Sequence, residues 1–131
     1  MTSENDDPTL EELMSKLRGV QLYMVRMEPL EVPEDPIAFL MPFLREHILW
    51  LRARERDGSL FLSGANRDEV GWDGSGVAIL RAESRTEAER IAATEPFHRE
   101  GLRKNTVHGW LLNEGNVRIS LNLFDNEYTL D

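Results

Sequence analysis

The chain has 131 residues, enough for one domain with its own core, and its 40% hydrophobic and 30% charged residues are typical of globular proteins. The net charge is −9, and the acids within residues 1–12 and 124–131 account for almost all of it. No basic stripe alternates with aromatics, cysteine is absent and no run approaches ~18 apolar residues, so nucleic-acid binding, thiol chemistry and membrane spanning are not expected.

The first half of the chain contains one β-rich segment and one long helical pattern. The segment VQLYMVRM is apolar and rich in strand formers. Asp35-Pro36 is a typical helix start, but Pro42 restricts the first turn, so the main helix is predicted to begin only at Pro42 and to stop at Gly58. The predicted elements are an acidic tail with a short helix in residues 1–19, a strand at 20–27, a loop at 28–36 and a helix at 42–57.

The second half alternates strands with a second helix. Ser84-Arg85-Thr86-Glu87 matches the capping box that begins a helix, and Pro96 requires that helix to end near Glu95. The glycines between Asn66 and Gly76 indicate a turn-rich loop. The predicted elements are strands at 59–65 and 77–83, a helix at 84–95, a turn or short helix at 97–102, a strand at 106–113, an alternating strand at 117–124 and an acidic tail at 125–131.

The order β-α-β-β-α-β, with additions at both ends, predicts an α+β fold of the ferredoxin-like type: a four-stranded antiparallel sheet with both helices on one face. We assign residues 20–124 to a single domain. The other sheet face, with residues such as Leu22, Met24, Ile79, Trp110 and Leu112, is expected to pack against a second copy as a dimeric α+β barrel. The extra C-terminal strand is predicted to pair either with the fourth strand or with the partner's edge, and we favour a role at the dimer interface.

Two ionisable residues interrupt apolar helical patterns. His47 falls inside the stripe formed by Phe43, Leu44, Ile48, Trp50 and Leu51, and Glu95 continues the spacing of Ala88, Ile91 and Ala92. A carboxylate is seldom buried without a partner, so packing of both helices on one sheet would pair the two side chains. The alternatives are a core histidine bonded to a backbone carbonyl and a glutamate that turns out to solvent.

Three further residues are candidates for contacts with a substrate. Ser63 lies on the second strand beside Gly64, Trp72 lies in the glycine-rich loop where it would cover a pocket, and His98 follows Pro96 near the pocket mouth. Ser63 is equally consistent with close helix–sheet packing, and His98 with an exposed turn. Alternation alone does not decide on which face of the sheet His108 lies. No metal site is expected, because the histidine spacing matches no metal motif.

With this order of elements, residues 20–112 resemble the YciI-like (YCII-related) family of small dimeric α+β-barrel proteins. The resemblance rests on an ordered set of short motifs: His47 in REHILWL, the Gly58 break, LFLSGA with Ser63-Gly64, GVAIL at 76–80, the SRTEA helix start at 84–88, and Pro96-Phe97 followed by Gly101-Leu102. The family implies a His–Asp pair as the active centre. His47 matches the histidine, and Glu95 stands where the family's Asp-Pro-Phe has aspartate.

The resemblance implies proton-transfer chemistry. Members of the family include a dehydrochlorinase of a chlorinated hydroxyquinol, and the wider superfamily includes muconolactone isomerases. We therefore expect a cytoplasmic homodimeric enzyme without a cofactor that catalyses an isomerisation or elimination on a small cyclic or hydroxylated aromatic substrate. His47 would exchange the proton and Glu95 would orient the imidazole. The alternative is a non-catalytic protein that binds a small ligand in the same pocket. The excess of arginine over lysine is typical of GC-rich bacterial genomes.

Overall fold

The computed structural model describes residues 7–131, so most of the predicted tail at residues 1–8 lies outside the described residues. The described chain contains ten elements: α1 (Leu10–Ser15), β1 (Val20–Pro29), α2 (Pro36–Arg56), β2 (Leu60–Asp68), β3 (Gly71–Leu80), α3 (Arg85–Ala93), α4 (Pro96–Arg99), β4 (Arg103–Leu112), β5 (Ile119–Asn122) and β6 (Glu127–Leu130). They divide into two compact units. The larger unit is formed by residues 21–111, and the smaller by residues 7–20 with 112–131.

The larger unit is built on a four-stranded sheet in the order β2-β3-β1-β4. β3 pairs antiparallel with both of its neighbours, with Val25 opposite Ala78 on one side and Ser63 opposite Ala78 on the other. With a helix after β1 and another after β3, this order is that of the ferredoxin-like fold. The predicted α+β fold class is therefore confirmed.

The hydrophobic core lies on one face of this sheet. Alternate residues of the strands point to it, as the two-residue period of a strand requires, and α3 covers it with an apolar stripe. Complete burial of a side chain such as Leu80 contributes about 1.5–3 kcal/mol to stability. The buried members of the core are Val25, Met27, Leu60, Ala78, Leu80, Ala88, Ile91, Ala92 and Val107.

The main helix begins six residues earlier than predicted, and Pro42 lies inside it. The side chain of Asp35 accepts the backbone N–H of Ala38 at 3.1 Å, and Pro36 occupies the first turn. A proline in a helix interior costs about 3 kcal/mol. The cap contributes about 0.5–2 kcal/mol and the full burial of Leu40 about 1.5–3 kcal/mol, which together offset that cost.

The predicted loop between Asn66 and Gly76 is wrong, because most of it continues a hairpin. β2 extends to Asp68, β3 begins at Gly71, and the Asp68 side chain accepts the N–H of Val70 at 2.8 Å in the turn. Gly76 serves close packing of the two strands. A Cβ at Gly76 would lie 2.8 Å from the carbonyl oxygen of Gly64, so no larger residue fits this place without a shift of the backbone.

The sheet face opposite the core is less exposed than the sequence predicts. Leu22 and Ile79 are already buried in the single chain, and Met24, directly opposite Ile79, shields it. Trp110 and Leu62 stay 36% and 55% exposed. His108 is exposed, and since its neighbour Val107 points into the core, strand alternation places His108 on this opposite face.

In the smaller unit, α1 begins at a complete capping box, in which Thr9 and Glu12 bond each other's backbone N–H groups. The predicted C-terminal strand is shorter than expected and pairs antiparallel with β6, which lies in the segment predicted to be a tail. It does not pair with β4 within the described chain. The prediction failed because Asn126 adopts a positive φ of 55°, which permits a turn that sequence patterning alone did not indicate.

Candidate functional site

α2 and α4 place His47 and Glu95 together. The imidazole projects from α2 and its side chain is only 12% exposed. Glu95 does not lie on a helix face as predicted, because α3 ends at Ala93 and Pro96 forces the residue before it into an extended conformation. Glu95 is instead the N-cap of α4, with φ −66° and ψ 130°.

The Glu95 carboxylate is fully buried, and one of its oxygens joins the imidazole to the backbone of α4. Oε2 lies 3.0 Å from Nδ1 of His47 and also accepts the backbone N–H of Phe97. Without this bond, the backbone N–H of Phe97 in the first turn of α4 would have no acceptor within the helix. The same oxygen therefore caps the helix and holds the histidine.

The second oxygen has its own partners. Oε1 accepts the side-chain N–H of Asn105 at 3.1 Å and the backbone N–H of His98 at 3.3 Å, and Nη2 of Arg103 lies 3.6 Å away. Burial alone would raise the pKa of Glu95 and is the largest single influence. The hydrogen bonds from His47 and Phe97 and the charge of Arg103 together outweigh burial, so the pKa of Glu95 lies below its ordinary value.

An ionised Glu95 determines the tautomer of His47. A carboxylate only accepts hydrogen bonds, so Nδ1 must carry a proton, and in the neutral imidazole Nε2 then carries the lone pair. The ring is held in orientation by Phe97, whose ring stacks on it with centroids 4.4 Å apart and planes 23° apart. Nε2 makes no hydrogen bond within residues 7–131.

His47 lines a pocket of about 190 Å³ between α2 and the sheet. A cavity of roughly 150 Å³ holds a benzene molecule, so this volume suits one six-membered ring with small substituents. The apolar wall is formed by Met27, Leu44, Ile48, Leu51, Ala65 and Phe97. The polar side chains in the wall are those of His47, Ser63, Trp72, Ser75 and Arg103.

Two of the three predicted substrate-contacting residues lie in this wall. Ser63 is exposed on β2, and Trp72 is partly buried, with its indole N–H donated to the carbonyl of Ser75 at 2.7 Å. The Ser75 hydroxyl in turn bonds Asp73 at 2.6 Å, an interaction that lowers the pKa of Asp73. The loop residue Trp72 is thus held by its own hairpin.

The structure does not bring His98 to this pocket. Its Nδ1 accepts the backbone N–H of Asn105 at 3.1 Å, and it borders a separate surface cavity. Glu95 contacts His98 only through the backbone N–H, which it accepts as the cap of α4. His108 lies on the opposite sheet face. Within residues 7–131 no group of three or more His, Asp or Glu side chains is placed to hold a metal ion.

Sequence reasoning missed Arg103 and Asn105, which both contact Glu95. The fourth strand was predicted from Thr106, whereas β4 begins at Arg103, so both residues lay outside every predicted element. Had the strand been extended, its two-residue period would have placed them on the same face as the buried Val107. Phe97 was noted only as part of a motif, and its stacking on His47 was not predicted.

No helix within residues 7–131 is long and apolar enough to cross a membrane.

The fold and the buried His–Glu contact define a small α+β protein with a ring-sized pocket. The model of the YCII-related domain matches residues 27–110, which is more than half of the chain. The chain belongs to this family. No curated protein sequence matches the chain.

A solved structure shares the fold. It is the 5-chloro-2-hydroxyhydroquinone dehydrochlorinase TftG from Burkholderia phenoliruptrix AC1100, in complex with 2,5-dihydroxybenzoquinone. The TM-score is 0.54 with 17% sequence identity, and the match covers 68% of this chain and 92% of that one. At this identity the likeness concerns the fold alone.

Proposed function

We propose that this protein is a cofactor-independent enzyme that uses His47 and Glu95 to transfer a proton on a small cyclic or hydroxylated aromatic substrate. The observation that carries the proposal is the 3.0 Å contact between His47 Nδ1 and the buried Glu95 carboxylate beside a pocket of about 190 Å³. Membership of the YCII-related family is consistent with this chemistry.

The proposed proton transfer depends on the tautomer of His47 in which Nδ1 carries the proton. Nε2 of neutral His47 takes a proton from the substrate, and the electron pair of the broken bond either moves into the ring system or expels a leaving group from the neighbouring carbon. In an isomerisation the imidazolium returns the proton at another atom. Glu95 remains ionised and stabilises the imidazolium, as the carboxylate of a hydrolase triad does. Such proton transfer contributes about 10²–10⁴-fold to a rate.

The substrate class rests on the pocket and on the similar structure. The pocket admits one substituted ring, and its wall is mostly apolar. The ligand of TftG, 2,5-dihydroxybenzoquinone, is a hydroxylated six-membered ring of that size. Ser63 and Trp72 would contact the ring from the sheet side. We further propose that the protein acts as a homodimer, with the exposed Leu62 and Trp110 at the interface between two sheets.

Deuterium exchange tests the proposal because it reports proton transfer whatever the final product is. The full chain is incubated in D₂O with single-ring hydroquinols, chlorinated hydroquinols and unsaturated lactones, and proton NMR follows exchange at ring carbons alongside chloride release. Wild-type protein should accelerate exchange or elimination for at least one class, and His47→Gln should abolish it. Acceleration that persists in His47→Gln would contradict the proposed role of this residue.

A second candidate function is binding of a small ligand without chemistry. It is favoured by one observation: the Glu95 carboxylate already has a structural role as the N-cap of α4, so its contact with His47 is also explained by folding. Under this function, the same ligands would bind with micromolar affinity and neither exchange protons nor lose chloride.

A further inference from the structure

Among the described residues that line the pocket, Arg103 carries a full charge, and the proton transfer proposed above uses this charge only to keep Glu95 ionised. Its side chain lies on β4, and the residue is only 4% exposed. Its Nη1 donates to the carbonyl oxygen of Gly74 at 3.2 Å, and its Nη2 contacts the sulfur of Met27 at 3.6 Å. The guanidinium also lies over the ring of Phe97, 4.6 Å from its centroid.

These contacts use only part of the hydrogen-bonding capacity of the side chain. A guanidinium carries five N–H donors, and the Nε–H of Arg103 is buried with no acceptor within residues 7–131. Leaving such a donor unpaired is unfavourable by an amount comparable to a lost hydrogen bond. Buried unpaired donors are rare in native proteins, so this one marks unused hydrogen-bonding capacity in a side chain that lines the pocket.

The charges around the pocket indicate what kind of ligand oxygen Arg103 would bind. Glu95 and Arg103 neutralise each other, so the pocket has no net charge while His47 is neutral. When Nε2 takes a proton from a substrate hydroxyl, the pocket gains an imidazolium and the substrate gains a negative charge on its oxygen. An anion in an apolar pocket is stabilised by positive partners: the imidazolium is one, and the guanidinium of Arg103, in the same wall as His47, is a second.

Resting on the function proposed above, we infer that Arg103 binds the substrate directly and donates a hydrogen bond to the oxygen that becomes negative when His47 accepts the proton. The step breaks the O–H bond of the substrate, forms the Nε2–H bond of the imidazolium and leaves the electron pair on the oxygen. The substrates are therefore ring compounds with an acidic hydroxyl, such as phenols and hydroxyquinones, rather than neutral ring ethers or hydrocarbons.

A coloured phenol tests this inference. 4-Nitrophenol is a single ring whose visible absorbance reports whether its hydroxyl is ionised, and 4-nitroanisole is the matched ring without an ionisable hydroxyl. Both are titrated against the full chain across pH. The wild type should bind nitrophenolate more tightly than 4-nitroanisole and lower the apparent pKa of the bound phenol. Arg103→Met should weaken nitrophenolate binding about tenfold or more, as expected for a lost charged hydrogen bond, and leave 4-nitroanisole binding unchanged.

Asn105→Ala is the control for an indirect effect. Asn105 donates to Oε1 of Glu95, as Arg103 approaches it, but does not line the pocket. This variant should keep the affinity for nitrophenolate within about twofold of wild type. If Asn105→Ala weakens nitrophenolate as much as Arg103→Met does, Arg103 acts by positioning Glu95 and the inference is overturned. Equal loss of both probes in Arg103→Met would overturn it too.

Two further variants keep the test decisive. Should Arg103→Met not fold, Arg103→Lys retains the charge beside Glu95 without the Nε–H, and it should still lose several-fold affinity for nitrophenolate; unchanged affinity would refute the inference. His47→Gln separates the two proposals. If His47→Gln alone abolishes ionisation of the bound phenol, the proposed function stands and the role of Arg103 falls. If neither residue affects ionisation, both fall.

Discussion

The Nδ1 atom of His47 lies 3.0 Å from Oε2 of Glu95, and that oxygen also accepts the backbone N–H of Phe97, whose ring stacks on the imidazole. One carboxylate oxygen thus connects the orientation of the histidine to the start of a helix. Because the helix cap and the stacked ring both restrict movement, the imidazole is held before any substrate arrives.

Glu95→Gln should lower the rate of proton exchange about 10²–10⁴-fold, as measured by the deuterium-exchange assay. The amide keeps the shape of the carboxylate but cannot stabilise an imidazolium. Glu95→Asp restores the aspartate of the family motif and keeps the charge, so it should retain a larger fraction of the rate. Identical rates for Glu95→Gln and wild type would show that the carboxylate has no part in the reaction.

The stability of the protein should fall in acid partly through Glu95. Its pKa is below the ordinary value of 4.5 in the folded state, so ionisation favours folding, and this contribution is fully present above pH ~4.5. It is lost as the pH falls through the lowered pKa of the folded state, where the carboxylate takes up a proton. Denaturant unfolding between pH 3 and pH 7 should therefore show a smaller pH dependence for Glu95→Gln than for wild type. Equal slopes would contradict this assignment.

Ser63→Ala and His98→Ala form a matched pair that tests which residues contact the ligand. Ser63 lines the pocket beside His47, and its hydroxyl is a hydrogen-bond partner for a ring substituent. His98 borders a different cavity. Calorimetric titration with 4-nitrophenol should show a loss of about 3–10-fold in affinity for Ser63→Ala, the equivalent of one neutral hydrogen bond, and none for His98→Ala. The reverse order would mean that the ligand occupies the other cavity.

The exposed part of the sheet should hold two copies together. Leu62 and Trp110 remain accessible in the single chain, and a stable interface buries more than ~1,200 Å² in total. Light scattering of the wild type should give about twice the chain mass of 15.1 kDa at micromolar concentration. Leu62→Glu should shift the mass toward one chain, whereas Arg85→Glu at an exposed position of α3 should not. A wild-type mass of one chain would end the homodimer proposal.

The C-terminal hairpin should contribute to the same assembly. Its register places Ile119, Leu121, Tyr128 and Leu130 in facing cross-strand pairs, and all four side chains are exposed in the single chain. A lone two-stranded hairpin is marginally stable, so this apolar face needs a partner surface. Truncation after Asn113 should weaken dimerisation and lower the melting temperature, while the far-UV circular dichroism of the larger unit persists. Unchanged mass and melting temperature would leave the hairpin without a role in the dimer.

The sequence by itself determined the fold class and predicted that His47 and Glu95 would be partners, as their 3.0 Å contact shows. Apolar periodicity distinguished α2 and α3 from the strands, and the order of elements limited the topology to the ferredoxin-like arrangement. The burial of the His47 side chain followed from the same periodicity. Glu95 is buried as well, but as the cap of α4 and not on the helix face that the periodicity predicted. Local signals were sufficient wherever neighbours in sequence decide the structure, as Ser84 does when it caps α3 through the N–H of Glu87.

Only the tertiary structure decided the rest of the site. Glu95 is a helix cap rather than a residue on a helix face, because Pro96 separates two helices at that point. Arg103 and Asn105 come to Glu95 through the pairing of a strand whose start no local pattern marks. α2 includes Pro42 because burial of Leu40, added to the cap at Asp35, offsets the cost of the proline. These outcomes depend on free energies from contacts distant in sequence, and such contacts exist only once the chain has folded.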